Sequence, residues 1–234
     1  TLLPADTYDL DGDANTTEGM PFDIEGANRV QNGQVNMGAF ETLVPTDYFT
    51  LGNASWNANG NWSNTDGGAD CGCNPSGVPN ANVRIKTGDT VTVANAADVG
   101  TTNTIDVQGT GVLTFDNGNT NSITTLTTSA TSTINVGAGT LNLSPTTFNG
   151  TVNITGTGAL ANGMTFADGA TYIHGRDGGI IPTATWGATS ECRITGITST
   201  AITSGFAQTF GNFTWNCTSQ NVDQNINAAM VVAG

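Results

Sequence analysis

The sequence predicts an all-β protein, and in particular a parallel β-helix (β-solenoid). Three observations carry that reading. Short pieces alternate β-branched with polar residues, the pattern of a strand with one buried face. The pieces recur at intervals of roughly 20 residues, the length of one solenoid coil. No stretch sustains the i, i+3, i+4, i+7 spacing of an amphipathic helix.

The strand-like pieces are "NVRI" with Val83 and Ile85, "TVTV" with Val91 and Val93, and "TIDV" with Ile105 and Val107. "TINV" follows with Ile134 and Val136, then "TVNI" with Val152 and Ile154. Between them "GTGVLTF" (109–115), "GAGTLNL" (137–143) and "GTGALANGMTF" (156–166) share a Gly-x-Gly turn followed by alternating apolar residues. Spacing separates the solenoid from its alternative, a β-sandwich. A sandwich places strands about every 8–12 residues with tight hairpin signals. Here Val83/Ile85 pairs naturally with Ile105/Val107, and Leu113/Phe115 with Ile134/Val136. In such a coil the Val, Ile, Leu and Phe point inward and stack, while Thr and Asn face water.

Composition narrows the function. The 234-residue chain is only 10% charged, and its 19 acidic residues outnumber 5 basic ones for a net charge of −14. Arg29, Arg84, Lys86, Arg176 and Arg193 are scattered singly, so no cationic footprint exists for a nucleic acid or an anionic lipid surface. A surface of hydroxyls and amides with almost no lysine is typical of secreted repetitive β proteins. The 37% content of apolar residues is too high for a disordered tract. No run approaches the ~20 apolar residues of a membrane span, so membrane insertion is not expected. The start "TLLPADTYD" has neither the basic region nor the apolar core of a signal peptide, and both ends read as if cut from a longer protein.

Residues 1–43 differ from the rest. "FDIEGANRVQNGQVNMGAFE" (22–41) resembles the closing coil of bacterial right-handed parallel β-helix proteins, through Asp23, Gly26, Arg29, Gly38, Ala39, Phe40 and Glu41. Asn36 stands where that family carries an aspartate. Residues 55–85, with Trp56, Trp62 and a "GVPNAN" turn, resemble a module opening in very large bacterial surface proteins, and 184–217 resembles a coil block from them. Such proteins are often exported by the type IX secretion route. The resemblance implies the end of one β-helix at residues 1–43 followed by the start of a second. Residues 44–82 would be a linker and N-terminal cap with the paired Trp and Cys-Gly-Cys, and 83–234 solenoid repeats continuing beyond the chain end.

Candidate chemistry is sparse. In "TYDLDGD", Asp9, Asp11 and Asp13 with Glu18 could supply oxygens to calcium, which takes six to eight of them. Ala14 and Met20 stand where an EF-hand loop needs Gly and Glu, and an Asx-rich turn explains the same residues. Calcium is therefore a stabilising option for a turn, and no other cofactor is expected. Cys71 with Cys73, and Cys192 with Cys217, are candidate disulfides, although four cysteines allow about three connectivities. With His174 the only histidine, a zinc site is not expected. His174, Arg176 and Asp177 in "YIHGRDGG" would form an acid–base group if this were a polysaccharide lyase, but glycines crowd the stretch as they do a loop between coils. Trp56 and Trp62 could stack sugars on an exposed face or cap the first coil.

The expectation is a segment of a large secreted protein at the bacterial cell surface, a structural or adhesive stalk without catalysis of its own. Its partners would be an extracellular surface or polysaccharide ligand and the outer-membrane secretion machinery. The competing readings are a carbohydrate-binding or lyase-like β-helix, and an export passenger whose main partner is that machinery.

Overall fold

The computed structural model describes Val30–Gln31, Gln34–Val35 and residues 47–234 apart from 101, 227 and 228. The chain divides into two compact units, Thr1–Val44 and Pro45–Gly234. In the first, Val30–Gln31 pairs antiparallel with Gln34–Val35. The calcium candidates Asp9, Asp11, Asp13 and Glu18, and the coil resembling a β-helix end, lie outside the described residues.

The second unit is a β-solenoid of about seven turns. Its only helical piece among the described residues is the short 3-10 turn Ala96–Asp98. One face is an eight-strand parallel stack running from Ala54–Ser55 through Thr90–Val93, Val112–Ile123, Thr133–Leu143, Thr151–Ile154, Thr171–His174 and Glu191–Ile194 to Asn212–Trp215. From Thr90–Val93 onward the registers pair Val91 with Leu113, then Ile134, Val152, Tyr172, Cys192 and Phe213. The coil lengths are therefore 22, 21, 18, 20, 20 and 21 residues.

Why these residues form this stack follows from the two-residue period of a strand. A second inner ladder runs Val93, Phe115, Val136, Ile154, His174, Ile194 and Trp215. The alternate positions, such as Thr92, Thr114, Asn135 and Asn153, point outward and are partly exposed. Most inner positions are fully buried. Each sealed aliphatic or aromatic side chain contributes on the order of 1.5–3 kcal/mol, which offsets the ordering entropy of a Gly- and Thr-rich chain. Outside, the Asn153 side-chain amide donates to that of Asn135, and Asn135 donates to the Thr114 hydroxyl, so hydrogen bonds link the outward row across three coils.

A neighbouring face stacks Asp47–Thr50, Asn82–Ile85, Thr104–Val107 and Thr125–Thr128, all parallel. It resumes with Thr147–Phe148, Met164–Phe166 and Ala184–Trp186 as a separate sheet. On the third side, Leu141 pairs with Asn121 and Leu160, and further along Gly179–Ile180 pairs with Ile202–Ser204. Aromatic rings fill the later coils: Phe148, Phe166 and Trp186 stack in series, with centroids 5.4 and 4.5 Å apart.

Two details differ from the sequence reading. The parallel stack begins at Asp47 rather than at residue 83, so residues 44–82 include the first rung as well as its cap. The cap is Trp62–Ser63, which pairs antiparallel with Phe49–Thr50 and ends the parallel order of that sheet. Secondly, the three Gly-x-Gly stretches do not occupy one recurring corner. Gly111 leads into the strand beginning at Val112, whereas Gly156 and Gly158 follow Thr151–Ile154. Gly158 is needed because a Cβ there would run into the Val136 carbonyl of the adjacent coil.

Candidate functional site

The residues singled out by sequence fall into separate structural roles. Trp56 and Trp62 are fully buried, and their rings meet edge to face with centroids 5.8 Å apart. Tyr48 packs on Trp62 in the same way at 6.3 Å. With no exposed face, neither indole can stack a sugar; the carbohydrate-stacking reading gives way to packing beneath the first rung. Cys71 and Cys73 form a disulfide, and the Cys71 amide donates to the Trp62 carbonyl at 2.8 Å, tying the loop to the cap. Cys192 and Cys217 are free thiols rather than the bridged pair considered above. Cys192 belongs to an inner ladder between Tyr172 and Phe213, where burial pushes its thiol well above the usual range. Cys217 is partly exposed, with Sγ 3.5 Å from the Ile194 carbonyl.

His174, Arg176 and Asp177 are each engaged in different structural contacts. His174 is sealed in the core, 3.0 Å from the Tyr172 hydroxyl and 2.7 Å from the Gly178 carbonyl. Burial holds its pKa below the usual imidazole value, so it is neutral. Arg176 donates to the Thr157 and Gly158 carbonyls of the preceding coil. The Asp177 carboxylate accepts the backbone N–H groups of Thr198, Ser199 and Thr200 and the Ser199 hydroxyl. Those donors favour its charged form and hold it far below the carboxylate range. Arg176 and Asp177 thus fasten their coil to the preceding and the following one, whereas His174 is held within its own coil.

Among the described residues, no three His, Cys, Asp or Glu side chains gather where one metal ion could hold them. Two polar atoms are buried without a protein partner near the Ala96–Asp98 turn: Asp98 Oδ2 and Thr102 Oγ1. The other Asp98 oxygen accepts the Ser76 hydroxyl at 2.7 Å. Sites of this kind are where ordered water sits in folded proteins.

Among the described residues, a concave site lies at the break between the sheet that begins with Asp47–Thr50 and the sheet that begins with Thr147–Phe148. The coil from Ile134 to Val152 is 18 residues long, against 21 for the one before it. Its shorter path passes through Pro145, which has no N–H to offer a ladder, and strand Thr147–Phe148 does not pair with Thr125–Thr128. Asn149 substitutes for the missing rung at one end: its backbone N–H donates to the Thr128 hydroxyl and its side-chain amide to the Thr128 carbonyl, both at 2.9 Å. The remaining gap is a cleft of about 430 Å³. It is lined by the exposed residues Thr125, Thr127, Ser144, Pro145 and Thr147, with the buried Leu126 and Thr146 beneath them. The Thr127 hydroxyl donates to Asp106 at 2.7 Å, which places a carboxylate beside the cleft. Sequence reasoning missed this site. Its visible signals were the contracted spacing between "TINV" and "TVNI" and the proline in "LNLSPTTF".

Comparison with known proteins returned no match to any family model, curated protein or solved structure.

Proposed function

We propose that this chain is a structural or adhesive stalk segment of a large secreted protein, working at the bacterial cell surface and without catalysis of its own. One observation carries the reading. The inner ladders Val91 to Phe213 and Val93 to Trp215 run through successive coils without a change of register. Coils stacked in this way rise about 4.8 Å each and make a rod whose stiffness comes from the continuous core. The outside supports the same role: Thr114, Asn135 and Asn153 are hydrogen-bonded from coil to coil, and a chain only 10% charged leaves few charges to be screened by salt. The Cys71–Cys73 disulfide suits an oxidising, extracellular location. The burial of His174 and the engagement of Arg176 and Asp177 in contacts between coils favour a scaffold over a lyase. The extracellular ligand would be met by the polar outer surface, and the secretion machinery would be the partner during export.

Two measurements test this. Antibody raised against residues 47–234 should label intact cells of the source bacterium, and protease shaving should remove the label; exclusively intracellular antigen would overturn the reading. Incubation with a polysaccharide panel should release no new reducing ends and no unsaturated products. Turnover that survives repurification would make the chain an enzyme.

A further inference from the structure

We propose that the cleft between Thr125–Thr128 and Thr147–Phe148 is a binding site for a neutral polyhydroxylated ligand, a short segment of an uncharged glycan. The inference extends the adhesive reading by naming a ligand class and a place for it. The volume of about 430 Å³ falls in the range of small-molecule sites, ~300–1,000 Å³. Its lining contains no charged side chain. What it offers is the exposed hydroxyls of Thr125, Ser144 and Thr147, which can donate and accept. The Thr127 hydroxyl, which already donates to Asp106, can still accept. A ligand made of hydroxyls and ring oxygens matches that inventory group for group. Pro145, exposed at the cleft, supplies the apolar contact that the C–H face of a sugar ring needs.

Two alternatives fit less well. An extended peptide would have to add a strand between the two existing ones, which requires roughly 9–10 Å between them. Their Cα atoms approach within 8 Å and Asn149 ties them together at one end, so nothing inserts between the strands. The glycan lies across the mouth of the cleft, over the Thr125 and Thr147 hydroxyls. An anionic glycan would meet Asp106, whose carboxylate already holds the Thr127 hydroxyl, and a chain of net charge −14. Neutral ligands avoid both costs.

The test is a chemical-shift titration of the full 234-residue chain with cellotetraose, maltotetraose and chitotetraose, and with tetragalacturonate as the anionic counterpart. At least one neutral tetrasaccharide should shift the amides of Thr125–Thr128 and of residues 146–149 in a saturable, millimolar-range titration. The double variant Thr125→Val/Thr147→Val keeps shape and strand propensity while deleting two exposed hydroxyls. It should weaken binding at least about fivefold, and Thr151→Val on the neighbouring face should not change it. No saturable shift with any neutral sugar, equal or tighter binding of tetragalacturonate, or unchanged affinity in the double variant would each overturn the proposal. The stalk reading is judged separately by surface labelling, so loss of the ligand would leave it standing.

Discussion

The Tyr172 hydroxyl lies 3.0 Å from Nδ1 of His174, with both side chains closed inside the solenoid. The other ring nitrogen, Nε2, faces the Gly178 carbonyl at 2.7 Å, and a carbonyl can only accept. Nε2 therefore carries the proton, Nδ1 accepts, and Tyr172 donates to it. Burial then raises the Tyr172 pKa and lowers that of His174, keeping both neutral. The charge facing this pair is Arg176, which further disfavours an imidazolium.

The pair makes stability depend on pH in a stated direction. The unfolded chain takes up a proton on His174 near pH 6.5, whereas the folded chain resists it to lower pH. Stability is complete above pH 6.5 and falls as pH drops below it, with a slope of at most about 1.4 kcal/mol per pH unit. Urea midpoints taken from pH 7.5 down to 5.5 should show the decline. His174→Leu, on the only histidine of the chain, should flatten it. An unchanged slope in that variant would assign the effect to carboxylates.

Phe166 lies between Phe148 and Trp186, 5.4 and 4.5 Å from them, and is fully buried. Phe166→Ala should cost about 3–5 kcal/mol, and Phe166→Leu, which keeps most of the volume, less than about 1.5 kcal/mol. Chemical denaturation measures both, and near-ultraviolet dichroism should report the lost ring stack.

Trp62 closes the first rung from inside, while its own strand covers the edge of Asp47–Thr50. Trp62→Ala should cost about 3–5 kcal/mol. Hydrogen exchange should rise first at residues 47–55 and leave 171–194 protected. A uniform loss of protection would show that the coils unfold as one unit.

Thiol labelling should separate the cysteines. Cys192 is sealed in the ladder, and burial, with the neighbouring Glu191 carboxylate adding to it, suppresses its thiolate. Under native, non-reducing conditions a maleimide should modify Cys217 alone. Denaturant should expose Cys192 as well, while the disulfide protects Cys71 and Cys73 until a reductant is added. Mass spectrometry of the labelled peptides reads each site.

Much of the fold was legible before any coordinates. Val83 and Ile105, and Leu113 and Ile134, read from spacing alone, are register partners in adjacent coils. The reason is local: strand alternation assigns each β-branched residue to a side, and a nearly constant coil length brings equivalent residues into line. The candidate site was far less legible. Trp56 and Trp62 have the same letters whether exposed or buried, and only the closure of the first coil seals them. "GTG" reads alike at 109–111 and 156–158, yet the two serve different corners because any tight bend beside a neighbouring backbone selects glycine.

Composition and period were thus enough for the class of fold, the coil length and the inward set of side chains, since those depend on neighbours along the chain. The buried Tyr172–His174 pair and the cleft beside Thr125 and Thr147 depend instead on neighbours across coils. His174 is core because Ile154 and Ile194 stack above and below it. The cleft exists because one coil is three residues shorter than the one before it, and that mismatch becomes a gap only when the two are stacked.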